Sequence, residues 1–360
     1  MASASIGRLR LLNQAVSATR ARTPLEVVAA LGAVQAQDYP GALWAIGLRT
    51  RDRTETDVEE ALANRQLVRT WAMRGTLHIV PAADLRWLIT LLGPRLIANA
   101  ALRRKQLDLT ESDLDRSVAI ILRALEEEPV IERNRLLERL ERGGIATGEQ
   151  RGYNILWHAA LSGAICFGPR SGKQHTFVAL DAWVPPSSSL PREEALGRLA
   201  LGYCASHGPA TVADFTAWTG LTAVDVRAAF ESAGTRIAAE QRNGREYWTS
   251  TERPAARRSS NSAFLLPGFD EFLLGYRDRG DVLDAEHAQI ICPGNNGVFR
   301  PTIVVGGRVV GTWSQQLTKG RVTIRLSPFA PLDPAAMTGL QVALGRYGRF
   351  LGRPAGFEAC

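Results

Sequence analysis

Lysine is almost missing from this chain: of its 43 basic residues, only Lys105, Lys173 and Lys319 are not arginine. Cysteine is sparse as well. Cys166, Cys204, Cys292 and Cys360 form no CxxC pair and no Cys/His cluster with zinc spacing, which excludes a zinc ribbon and a disulfide framework. A reduced, intracellular setting fits that usage. The five histidines, His78, His158, His175, His207 and His287, show no ligand spacing, so neither a metal nor another cofactor is expected. Long apolar runs are lacking too. The most apolar helical stretch, Leu85 to Leu102, is cut by Arg86, Pro94 and Arg95, and Met1 to Arg10 has no signal-peptide core. No membrane partner is expected, and the expected compartment is the cytoplasm. There is no P-loop, no GxGxxG after a strand, no HExxH and no GxSxG, which removes the commonest nucleotide, zinc-protease and serine-hydrolase readings.

What the chain does have is arginine and ordinary globular composition. Its 360 residues are 45% hydrophobic and 22% charged, enough for more than one folding unit with a sizeable core. The formal charge is +7. A basic surface attracts polyanions, nucleic acid first among them, and arginine forks onto phosphate oxygens. GC-rich codon usage accounts for an arginine excess equally well.

The periodicity repeats one order of elements. Thr23, Pro24 and Glu26 form a capping signal for a helix from Pro24 to Val34. Thr56 and Glu59 repeat it for a helix from Asp57 to Asn64. Gln66 to Val80 then reads as a hairpin around Arg74-Gly75. A second section carries helices at Glu111 to Glu127, Ile131 to Arg142 and Gln150 to Ser162, then a hairpin from Ala164 to Leu180. Val184 to Arg192 reads as a linker. A third has helices at Arg192 to Ser206, Thr211 to Thr219 and Thr222 to Ala233, with a hairpin around Asn243-Gly244. Beyond it, strands are expected at Phe264 to Leu274, Arg300 to Val305, Arg308 to Thr312 and Arg321 to Leu326, and a final helix at Pro334 to Leu351. The expected fold is α+β: three tandem winged helices at residues 1–105, 106–185 and 190–252, then a small β subdomain and closing helix at 260–360.

One segment stands out chemically: Val34-Gln35-Ala36-Gln37-Asp38-Tyr39-Pro40. In a helix, residues two apart point about 200° apart, so Gln35 and Gln37 share a site only if the helix breaks there. Pro40 biases Tyr39 to extended backbone and favours such a break. A polar helix end with capping amides is the plainer reading of the same residues. The run QAQDYPGALWAIGLR, followed by RTWAMRGTLHIV, resembles the AlkZ/YcaQ family of winged-helix DNA glycosylases. GPATVADFTAWTGL, LLPGFDEFLLGYRDR and RPTIVVGGRVVGTW are similar to it as well, in the same order along nearly the whole chain.

The resemblance implies three winged helices around a basic concavity for duplex DNA. It also implies a catalytic Gln-hydrophobic-Gln motif or a variant with aspartate last; here that motif is Gln35-Ala36-Gln37. The implied branch removes bulky alkylguanine adducts or unhooks cross-links made by natural-product toxins, often for self-resistance. Glutamine suits this chemistry. A purine alkylated at N7 or N3 already carries positive charge and leaves without an acid, so the enzyme has mainly to position water and stabilise oxocarbenium character. Two neutral amides can do that by hydrogen bonding. Gln37 is expected to orient the water and Gln35 to support it or contact the sugar, though the roles could be exchanged. Asp38 either adds negative charge nearby or serves as a cap.

No lysine lies near the motif in sequence, so no Schiff-base nucleophile is expected and the enzyme should be monofunctional. Arg74 and His78 in the first hairpin are candidate DNA contacts, as are Arg308 beside the Gly306-Gly307 turn and Lys319 and Arg321 around Gly320. Each also has a structural reading: His78 as a satisfied histidine, Arg308 as part of a plain hairpin, Lys319 and Arg321 as solvated charges. Trp44, Trp71, Trp157, Trp218 and Trp313 are expected in cores. A monomer is the expected state. The competing readings are a winged-helix transcription regulator, which would prefer one undamaged sequence, and a nonenzymatic damaged-DNA-binding protein.

Overall fold

A computed structural model describes residues 5–18, 21–186, 190–252 and 263–358. The serines at 187–189 of the expected linker, residues 1–4 and Cys360 lie outside the described residues. The chain is α+β and divides into two compact units, Met1–Glu59 with Leu196–Cys360, and Glu60–Ala195. No helix among the described residues is long and apolar enough to cross a membrane.

The second unit is built by amphipathic helices around one core. Thr110 accepts from the Asp113 N–H, and the Asp113 carboxylate accepts from the Thr110 N–H, so the helix Glu111–Glu127 begins with a closed capping box. Its Leu114, Ile121 and Leu125 recur at helical spacing and pack with Leu136 and Leu140 of Arg133–Arg142 and Ile155 of Arg151–Leu161. The hairpin Ile165–Phe167 and Thr176–Ala179 closes one side, with Ile131–Glu132 as a third strand beside Thr176–Ala179. The helix expected from Ile131 therefore starts two residues later, because Ile131 and Glu132 are spent on that strand. A second hairpin pairs Leu67–Trp71 with Leu77–Pro81 through a turn in which Arg74 takes φ 57°. Trp71 lies 4.9 Å from the Phe167 ring, in the core as expected.

In the first unit the helix Arg192–His207 precedes Val212–Thr219 and Ala223–Ala233, whose N-caps Thr211 and Thr222 accept from Asp214 and Asp225. Asn243 and Gly244, both at positive φ, turn the hairpin Ile237–Arg242 into Arg245–Ser250. A five-stranded sheet runs in the order Ala355–Phe357, Val322–Pro328, Arg308–Leu317, Thr302–Val305, Ala263–Leu266, antiparallel except at its first pair. The helix Pro334–Phe350 turns Leu340, Leu344, Tyr347 and Phe350 inward, and the Trp44 ring meets the rings of Tyr347 and Phe350 at 4.7 and 5.1 Å.

Two further expectations need correction. The cap near residue 56 is Thr54 with Asp57, which exchange hydrogen bonds and start the helix Glu55–Ala63 two residues before the expected start. Thr56 and Glu59 fall inside it. The strand expected from Phe264 to Leu274 stops at Leu266. Pro267 cannot donate to a ladder, and at Gly268 an added Cβ would come within 2.7 Å of the Phe299 carbonyl. Asp270 then caps a short helix, Glu271–Leu274.

Leu140 is fully buried at the centre of the second unit. Leu140→Ala is expected to destabilise that unit by about 3 kcal/mol, read as a lowered urea midpoint at unchanged slope.

Candidate active site

The Gln35-Ala36-Gln37 segment lies in a break between two helices. Pro24–Leu31 ends at Gly32, whose φ of 81° stops the helix. Val34–Gln35 is extended, and helix resumes at Tyr39–Gly47 with Pro40 in its first turn. A helix break is thus present around the two glutamines, beginning at Gly32 and ending before Tyr39, which is helical rather than extended as Pro40 led us to expect. The two differ in exposure: Gln35 is buried and Gln37 is exposed. The Gln37 main-chain N–H donates to Gln35 Oε1 at 2.8 Å. That contact fixes which end of the Gln35 amide is oxygen and aims its NH₂ away from it. Asp38 holds the N-cap position of the next helix but makes no capping hydrogen bond. Its carboxylate folds over Gly41, where an added Cβ would come within 2.5 Å.

Behind the motif lies a buried polar layer. The Gln35 main-chain N–H donates to Glu271 Oε1 at 3.4 Å. Glu271 Oε2 accepts from Trp218 Nε1 at 3.0 Å and meets His207 Nε2 at 3.1 Å. Gln14 donates to the Glu271 carbonyl and to the Tyr276 hydroxyl, which in turn donates to the His207 carbonyl. Burial pushes the phenol of Tyr276 up, and that of Tyr203 well up, so both are neutral donors. Beside this layer Arg49 is completely buried and uses all five of its donors. Its Nη1 and Nη2 fork onto Asp270 at 2.8 Å each, Nη1 also reaches the Ala45 carbonyl, and Nε and Nη2 take the Gln14 carbonyl and Oε1.

The long hairpin Arg308–Leu317 and Val322–Pro328 stands in the same unit. Leu317, Lys319 and Arg321 are exposed at its far end. Nearer its base, Tyr347 donates to Gln315 Oε1. Burial raises the Tyr347 phenol, and the carboxylates of Glu55 and Asp38 push the same way, so this tyrosine also feels the residue that follows the motif. At the other hairpin, the Gly306-Gly307 turn is covered. Arg8 Nε donates to the Gly306 carbonyl, and a Cβ on Gly7 would come within 1.9 Å of the Gly307 carbonyl. Arg308 pairs with Asp284. Arg74 and His78 belong to the second unit. Arg74 is half-buried in the turn, and His78 is fully buried with Nδ1 donating to the Thr76 carbonyl at 2.9 Å.

Sequence reasoning missed Glu271, His207, Gln14 and Arg49. Glu271 lies 236 residues from Gln35, and no periodicity pairs them. The one available signal was its place in the block FDEFLLGYRDR, which carries part of the family resemblance. Among the described residues no three His, Cys, Asp or Glu side chains are grouped to hold a metal ion. Burial pushes the thiols of Cys166 and Cys204 up to about 12, which leaves them inert as nucleophiles.

A family model described as DNA glycosylase AlkZ-like matches residues 28–350. The chain belongs to the AlkZ-like DNA glycosylase family. It is therefore an enzyme that hydrolyses N-glycosyl bonds in DNA. A curated relative, an interstrand DNA cross-link repair glycosylase of Streptomyces sahachiroi, is 27% identical over 308 residues, covering 80% of this chain and 81% of the relative. The solved structure of Streptomyces sahachiroi DNA glycosylase AlkZ is similar in fold, with a TM-score of 0.82 at 24% identity over 99% of this chain and 100% of that one. The match begins just before the two glutamines and ends at the last residue of the closing helix, so the AlkZ-like region includes the break, Asp270 and Glu271.

The Arg49–Asp270 pair in this AlkZ-like enzyme is buried on both sides. Asp270→Ala leaves a guanidinium without its anion in the interior. The expected loss is about 3–5 kcal/mol in denaturant unfolding, with Asp270→Asn losing less because it keeps one acceptor.

Proposed function

We propose that this AlkZ-like glycosylase releases purines bearing bulky alkyl groups at N7 or N3, including N7-alkylguanine and guanine joined in interstrand cross-links by natural-product genotoxins. The observation that carries the reading is the pair of amides in one helix break, one buried and fixed, the other exposed. In such a substrate the glycosidic C1′–N bond breaks heterolytically. Its electron pair goes to the base and cancels the cationic charge, so no general acid is needed. Water then adds to C1′ and loses its proton to solvent, since an amide cannot take one. Gln37 orients that water and Gln35 holds the segment and the sugar side. Cross-link repair is what the Streptomyces sahachiroi relative is named for, and an adduct displayed in a groove suits an exposed amide. Self-resistance to a toxin is the setting this substrate class favours.

The three helix–hairpin sections act as winged helices on duplex DNA, and the protein works as a monomer in the cytoplasm. Lys319 and Arg321, exposed at the hairpin end, meet phosphates, and Arg74 supports backbone contact from the second unit. Arg308, paired with Asp284, and the buried His78 serve the fold instead. The enzyme stops at the abasic site. No lysine stands in the QxQ segment or in the buried layer behind it, so a Schiff base has no nucleophile there.

Duplexes carrying a single N7-alkylguanine test this. Wild type is expected to release free base in varied sequence contexts, and Gln35→Ala and Gln37→Ala to lose on the order of 10²-fold in single-turnover rate. Lys319→Ala and Arg321→Ala should weaken DNA binding and each lower the salt slope by about one. Sequence-selective binding to intact DNA with no base release from simple or bulky adducts would overturn the proposal.

A further inference from the structure

The buried acid behind the motif has no part in the glutamine chemistry itself, yet it holds the motif's backbone. Its surroundings fix how many protons it shares with His207. Ser206 Oγ donates its only proton to the Gly202 carbonyl at 2.7 Å, so the 2.8 Å contact between Ser206 Oγ and His207 Nδ1 has the imidazole N–H as donor. With Nδ1 protonated, the 3.1 Å contact between Nε2 and Glu271 Oε2 needs a second proton between them. An imidazolium facing a carboxylate and a neutral imidazole facing a carboxylic acid both meet this need, and both leave the pair with zero net charge. The Trp218 N–H donates to the same Oε2.

The pair is also rigid. His207 is fully buried, and Glu271 is 2% exposed. The Tyr203 ring stacks on the imidazole at 4.6 Å and 10°, and a Cβ on Gly275 would come within 2.5 Å of His207 Cδ2. Oε2 is thereby pinned by two donors, which leaves Oε1 in a set place to receive the Gln35 N–H. Gln35 in turn presents Oε1 to the Gln37 N–H.

We propose that Glu271, paired with His207, is the positioning residue of this active site, setting the register of Gln35 and through it the exposed Gln37. The inference rests on the two glutamines being the catalytic pair. It adds a chain running from the helix Arg192–His207 through one carboxylate to the reacting segment. Glu271 is buried at 2% exposure, behind the motif's backbone. It acts by denying the segment alternative positions, and a misplacement of about 1 Å at such a site costs on the order of 10²-fold in rate.

The test separates placement from stability. Glu271→Ala is expected to lower the single-turnover rate of N7-alkylguanine release about 10²-fold while the Kd for the same duplex stays within about threefold. Glu271→Gln keeps the shape and one acceptor for the Gln35 N–H, and is expected to recover at least about tenfold of that loss. Leu140→Ala, which lowers stability elsewhere, should leave the rate unchanged. Hydrogen exchange of residues 34–37 gives a readout that needs no substrate: it should accelerate in Glu271→Ala and return toward wild type in Glu271→Gln. Wild-type rate and wild-type exchange in Glu271→Ala would overturn the proposal. So would a rate and an affinity for the duplex that fall together in step with melting temperature. A wild type that releases no base, but whose exchange responds as described, would sink the substrate proposal and leave the positioning role standing.

Discussion

Arg49 has five donors and is fully buried, and its surroundings are arranged to give it five acceptors. A buried guanidinium is tolerable only when its counter-charge is present and its remaining protons are placed. Meeting that condition draws Gln14, after the first helix, and Asp270, next to Glu271, to the end of the helix that follows the motif, where the Ala45 carbonyl is one turn away. The helix break that carries the glutamines lies between Gln14 and that helix. Its geometry is therefore inherited from an electrostatic requirement rather than from packing alone. Apolar side chains of suitable volume could fill the same space, but they would tolerate sliding that a forked ion pair does not.

Local signals in the sequence were readable wherever the physics is local. Thr23 and Thr222 cap helices because a hydroxyl three residues before an N–H needs nothing distant to bond it. Asn243-Gly244 turns a hairpin because few other residues accept positive φ in succession. The failures have equally physical origins. Thr54 and Thr56 both offer hydroxyls with acids three residues on, and only the surrounding chain selects Thr54. Pro267 and Gly268 sit in an apolar run that looks like one strand until the carbonyl of Phe299 is seen beside it.

The candidate site is legible in its two glutamines and opaque in what supports them. The glutamines lie two apart in sequence, but the break around them is opened by Gly32, and Tyr39, expected to be extended before Pro40, already starts the next helix. Glu271, His207, Trp218 and Gln14 come from four other places, and they meet only once the first unit has folded. Nothing in a linear pattern encodes that a carboxylate more than 200 residues away will accept the N–H of Gln35. Family resemblance flagged the block around Glu271 but assigned it no duty. The folded chain supplies the duty, since a buried carboxylate must find donors and the motif backbone is one of them.

The contact between Gln35 and Gln37 has a consequence for how such a site can diversify. Gln35 is held at both ends of its role, main chain by Glu271 and side chain by the following N–H. Residue 37 contributes only its main chain to that contact, and its side chain faces outward. The first position of the motif is thus tied to the architecture, whereas the last can change its chemistry without altering the scaffold that presents it. Such an arrangement is a fixed socket with an interchangeable tip: the backbone stays in place whichever side chain stands at position 37.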